Sequence, residues 1–235
     1  MTLLIGVALY GALVALALFV HETGHVLAAR AVGLRVNQIV VGIGPCLAWT
    51  TANGTRWQVG LFPVFGWVRY DAAGYKQLDA GRRVAVAAAG PAANFVSGGL
   101  LLLAHTGAMA EWDALSTLRN VVSDGGALVG FVTSSLAGSM LERAFSIWTR
   151  VPAAPLGLFG LPLGDTILMR ALFWAGVMSM SMGLVNLLPL PPLDGQRIAA
   201  GTVEWVLGRN AARSVETVLL VVASSVLFAV IVFAP

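Results

Sequence analysis

Four stretches of this chain are apolar over lengths that suit a lipid bilayer better than a water-soluble core. A helix needs about 20 residues to cross the hydrocarbon layer. Leu3 to Val20 runs through a polar interruption to about Gly33. Val84 to Ala104, Ala171 to Leu193 and Thr217 to Ala234 follow, each without Lys, Arg or Glu. Composition points the same way: 58% of the 235 residues are hydrophobic and 11% charged. A soluble domain carries about 25% charged residues. The expected fold is a membrane α-helical protein with about four transmembrane helices, one membrane-embedded unit over residues 1–235.

The basic residues orient it. Arg30, Arg35, Arg56, Arg69, Lys76, Arg82 and Arg83 flank the first connection, and Arg197, Arg209 and Arg213 lie in the third. The second, residues 105–170, sets Arg119, Arg143, Arg150 and Arg170 against Glu111, Asp113, Asp124, Glu142 and Asp165. Cytoplasmic loops collect Lys and Arg. Connections one and three are therefore expected in the cytoplasm and both termini outside, in a multi-pass cell-membrane protein. On this reading the net charge of +3 reflects topology, and no nucleic-acid partner is expected. Ala127 to Leu141 is uncharged but short for a span, so an interfacial helix on the outer surface is expected there. The first run lacks the basic leader and cleavage pattern of a signal peptide. Cys46 is the only cysteine, which rules out an internal disulfide.

The polar interruption is "FVHETGHVLAAR", residues 19–30. Ionisable groups inside a membrane helix cost a few kcal/mol each and usually mark function. His21, Glu22 and His25 spell H-E-x-x-H, and positions four apart share a helix face. Two imidazoles can then bind one zinc ion with Glu22 beside them as general base of a hydrolase. A polar cluster between helices, or a histidine pair lining a transport pathway, would use the same residues.

A third ligand has to come from another span at similar depth. The third run ends "NLLPLPPLDGQR", residues 186–197, where Pro189, Pro191 and Pro192 cannot continue a regular helix and Gly195 loosens the chain. Unwound backbone at membrane depth is tolerated where it is buried in protein or lines a wet cavity. Asp194 then projects from a helix break as a candidate ligand, or serves as an ordinary helix cap. His21 stands nine residues before Arg30, roughly 14 Å of helix below the cytoplasmic boundary. A third span running from outside to inside brings Asp194 to that level. Between the first two spans, Asn53-Gly54 is a hairpin turn signal. Leu47 and Trp49 before it and Trp57, Val59 and Leu61 after it recur at alternate positions, so a small membrane-associated β-hairpin is expected.

The two motifs together, H-E-x-x-H and N-x-x-P-x-P-x-L-D-G (Asn186, Pro189, Pro191, Leu193, Asp194 and Gly195), resemble the site-2 proteases, the intramembrane zinc metalloproteases. "AAAGPAANF" (87–95) and "VVGIGPCLAW…GTRWQVGLFPVFGWVRY" (40–70) extend the likeness to that family's second core helix and membrane-dipping hairpin. The resemblance implies one Zn2+ held by His21, His25 and Asp194, with Glu22 as the catalytic acid/base. It makes Asn186 a substrate or oxyanion holder and Asn94 a polar contact near the site, although small-residue packing explains Asn94 equally well. Gly42, Gly44, Trp57 and Trp67 of the hairpin become candidates for touching substrate. The implied function is cleavage of single-span membrane proteins within or near their transmembrane segment, such as an anti-sigma factor or a remnant signal peptide. Many bacterial relatives carry a PDZ domain after the second core helix. A PDZ domain needs about 90 residues and several strands, and 105–170 is too short, so a minimal core with a possible regulatory partner is expected.

The rival reading is a non-enzymatic metal-binding transporter or channel, which has little use for Glu22. An inactive relative is disfavoured because no ligand or acid is replaced. His105 reads as an interfacial polar residue, most tryptophans as interface anchors, and residues 204–213 as a cytoplasmic amphipathic helix and joint.

Overall fold

The computed structural model describes residues 2–107 and 167–233. The expected interfacial helix at 127–141 lies outside them, as does most of the second connection. The described residues form helix α1 (Thr2–Ala31), strands β1 (Val36–Thr50) and β2 (Arg56–Tyr70) and helices α2 (Ala72–Gln77) and α3 (Ala80–Gly107). Helices α4 (Ile167–Asn186), α5 (Asp194–Leu207) and α6 (Arg209–Phe233) follow. They divide into two compact units, Met1–Val96 with Met182–Pro235, and Ser97–Ser181.

Two described helices contain segments long and apolar enough to cross a membrane, Ala8–Ala31 in α1 and Ala80–His105 in α3. The third and fourth apolar runs overlap α4 and α6. Helix α1 stops where its signals say it should. Gly33 takes φ 76°, its N–H donates to Arg30 O and that of Leu34 to Ala29 O, the paired bonds of a glycine-terminated helix. Asp79 opens α3 by accepting from Arg82 N at 2.8 Å, a standard cap.

Strands β1 and β2 pair antiparallel, with Trp49 opposite Trp57 and Leu47 opposite Val59. Their connection is a five-residue loop rather than a two-residue turn. Thr51 N–H donates to Thr55 O, Gly54 N–H to Thr51 O, and Thr55 N–H to Asn53 Oδ1, with Gly54 at φ 80°. The root of the hairpin is buried through Val36, Ile39, Val40 and Val41, and Val36, Ile39 and Val41 join Leu18, Val26 and Ala29 of α1 in one cluster. Its outer part exposes Leu47, Trp49, Leu61, Phe62, Val64 and Phe65, a surface that water would not favour.

In the first unit α1 and α3 touch backbone to backbone, since a Cβ on Gly24 would lie 2.3 Å from Ala89 O. Close approach through small residues is how helices pack in lipid. The second unit does the same: Gly98 faces Met180, Gly176 faces Leu102, and the Ser97 and Ser179 hydroxyls meet at 2.8 Å. His105 belongs to this packing. It is fully buried, and its Nδ1–H donates to Met169 O at 2.9 Å, so it ties two helices together instead of resting at the interface.

The 204–213 stretch contains the expected joint, but no helix of its own. Its first residues belong to α5, which starts at Asp194, and it divides at Gly208, whose φ of 87° separates α5 from α6.

Candidate metal centre

The first unit brings His21, His25 and Asp194 together, all buried. Helix α1 supplies the two imidazoles from one face, their rings edge to face at 4.8 Å between centroids. Helix α5 supplies the carboxylate from its first turn. The chain leaves α4 at Asn186, turns through the proline-rich segment and enters α5 with Leu193 as cap. Asp194 therefore occupies the first helical position, and its Oδ2 faces the histidines rather than serving as the cap. Gly195 does not loosen this corner. It is buried within α5, and a Cβ on it would sit 2.2 Å from Leu188 O and 2.3 Å from Leu187 O, so its bare backbone lets the turn fold against the helix.

His21 Nε2 lies 2.9 Å from Asp194 Oδ2, His25 Nε2 lies 3.0 Å from the same oxygen, and the two nitrogens are 3.2 Å apart. His25 Nδ1–H donates to Val86 O of α3 at 2.8 Å. In the neutral imidazole that binds metal, this leaves a lone pair on Nε2, pointed at a carboxylate oxygen that also carries only lone pairs. A cation between them removes the repulsion. Donor atoms at 2.0–2.1 Å from a tetrahedral zinc stand roughly 3.4 Å apart, so the trio has to open by only a few tenths of an ångström. The donor set, N, N and O, suits zinc. His21 Nδ1 has no hydrogen-bond partner among the described residues.

Glu22 is equally buried and points toward β2, where Gly66 faces its carboxylate. Gly90 of α3 lies against His25: a Cβ there would be 2.3 Å from Nε2. The sequence reading touches Gly90 only as part of the stretch 87–95, and Gly66 only as part of the hairpin, with no site role for either. A glycine inside a strand, which often marks close approach, was the available signal for the second. Val86 acts through its carbonyl and left no signal at all.

The remaining candidates are more scattered. Asn94 is buried and its Nδ2 donates to Ala17 O at 3.3 Å. Asn186 Nδ2 donates one turn back, to Met182 O. Gly42 and Gly44 have φ near +85° (83° and 86°) and pack against Gly60 and Phe62 of the opposite strand, so each has a backbone role in the irregular part of the hairpin. Trp57 stacks on Trp49 and lies 6.1 Å from Phe19 of α1, while Trp67 is exposed.

Apolar helices, a two-stranded antiparallel sheet and a buried His-His-Asp group able to hold a metal ion define a membrane metalloprotein. Residues 10–230 match the family described as Peptidase family M50, and the chain belongs to it, the site-2 protease family. Similar proteins include zinc metalloprotease Rip1 of Mycolicibacterium smegmatis, 31% identical over 183 residues, which are 69% of this chain and 42% of that protein. A Rhizobium meliloti protein bearing a zinc metalloprotease name is 39% identical over 107 residues, 36% of this chain and 29% of that one. A chloroplastic Arabidopsis thaliana protein bearing the name membrane metalloprotease ARASP2 is 43% identical over 51 residues, 22% of this chain and 12% of that one. This chain thus spans less than half the length of these relatives.

Proposed function

We propose that the chain is a zinc endopeptidase that hydrolyses peptide bonds within or near the transmembrane segments of single-span membrane proteins. One observation carries the reading: three atoms able to ligate a metal converge from two distant segments, while neutral His25 spends its one ring proton on Val86 O. His21, His25 and Asp194 hold the metal. Zinc bound there supplies Lewis acidity, acidifying water and polarising a carbonyl. Glu22 takes the proton of the attacking water and delivers it to the departing amide nitrogen. Asn186 and Asn94 steady the substrate backbone, and the hairpin, with Gly42, Gly44, Trp57 and Trp67, receives the unwound segment as an added strand.

Four spans follow from the apolar runs, two of which coincide with span-length helices, and a centre toward the cytoplasmic side with outward-facing termini follows from the distribution of Lys and Arg. Residues 1–235 act as one catalytic core, with the 105–170 connection outside the cytoplasm and any gatekeeping supplied by that segment or by a partner in the place of a PDZ domain.

Replacing Glu22 by Gln tests the reading. Zinc should stay bound while cleavage of a single-span transmembrane peptide falls by about 10²–10⁴-fold. Unchanged cleavage refutes hydrolysis through Glu22, and zinc flux in protein-loaded vesicles would support transport in its place.

A further inference from the structure

Glu22 meets strand β2 at a position that has no side chain. A Cβ on Gly66 would stand 2.5 Å from Glu22 Oε1 and 3.1 Å from its carboxyl carbon, well inside the roughly 3.5 Å at which non-bonded atoms settle. The other close neighbour is Val40 O, at 3.0 Å. Unlike Gly42 and Gly44, Gly66 is not among the glycines of positive φ. It is required for the space it leaves, since alanine could adopt the same backbone. The strand is held by its ladder, Val41 opposite Gly66 and Val40 opposite Trp67. The freer party is the end of the Glu22 side chain.

We infer that Gly66 is a positioning residue: the bare backbone of β2 sets where the Glu22 carboxylate rests beside His21, His25 and Asp194. The hairpin then shapes the acid/base as well as contacting what is cleaved. This rests on the proton-transfer role proposed above for Glu22. A methyl group at Gly66 displaces the carboxylate and leaves the three metal ligands alone. Misplacing a reacting group by about 1 Å costs on the order of 10²-fold in rate.

The test uses the full zinc-loaded chain in detergent with the same transmembrane peptide. Gly66→Ala should keep its zinc and its KM while kcat falls by about 10²-fold. A second measurement needs no turnover. Gly66→Ala should lower Tm by about 2–4 °C in the wild-type background. In a Glu22→Ala background the loss should be clearly smaller, because the carboxylate is gone and only the contact with Val40 O remains. Equal Tm losses in both backgrounds, loss of zinc, or an unchanged kcat would each overturn the inference. Should Glu22→Gln itself cleave normally, the proposed hydrolysis fails, and the Tm cycle still decides whether Gly66 confines the carboxylate.

Discussion

At the scale of single residues, the centre is built as much from missing side chains as from present ones. His25 is fixed on one edge by Val86 O and on its face by Gly90, where a Cβ would stand 2.3, 2.6 and 2.8 Å from three ring atoms. The ring cannot yield without breaking its bond to Val86 or turning Nε2 away from Asp194. Gly90→Ala is therefore expected to weaken zinc binding by about 10–100-fold, the usual effect of disturbing what orients a ligand. Chelator competition measures this, and wild-type affinity in that variant would show that the ring has room to spare. The histidines and the two acids were legible in the sequence because chemistry demands those residue types at that spacing. Gly66, Gly90 and the Val86 carbonyl were not, since a glycine's reason lies in the neighbour it admits and a carbonyl belongs to every residue.

At the scale of elements, α5 holds Asp194 at one end and an ion-pair cluster at the other. Glu204 accepts from Arg83 of α3 at 2.7 Å and from Arg209 at 3.1 Å, and Gly201 lets α5 lie against Val84 of α3. Since α3 also carries Val86, this clasp fixes the element that bears the carboxylate to the element that orients His25. Arg83 above all, then Arg209, hold the Glu204 carboxyl below its ordinary value of 4.5. A carboxyl lowered in the folded state stabilises it above that ordinary value, and the contribution fades as the pH falls from there through the lowered value. Such a pair contributes roughly 0.2–1 kcal/mol. Glu204→Gln should accordingly lower Tm by up to about 4 °C at pH 7, with the gap to wild type closing near pH 4. Thermal unfolding at the two pH values checks this, and a gap that widens in acid would contradict it.

At the scale of the whole molecule, the candidate metal group brings together parts of the chain that sequence holds far apart: Asp194 is 173 residues from His21 and 169 from His25. Binding that occurs only in the folded state stabilises it, by about 2.7 kcal/mol when free metal is at 100 times its Kd. Stripping zinc with a chelator should therefore lower Tm by roughly 5–10 °C, and Asp194→Ala should show no response to the chelator. An equal response in that variant would place the metal elsewhere.

Membrane residence, the hairpin and the presence of two remote motifs with metal-site chemistry could be read from the sequence alone. Each is a local property: apolar length against bilayer thickness, alternation about a turn, and residue chemistry that is costly wherever it is unused. Tertiary structure decided the rest. Whether Asp194 faces two imidazoles or caps a helix, whether His105 meets lipid headgroups or packs between helices, and which glycine leaves room for which side chain all depend on how elements distant in sequence approach one another. That approach is settled by close packing between surfaces, and no spacing along one segment encodes the surface it will meet.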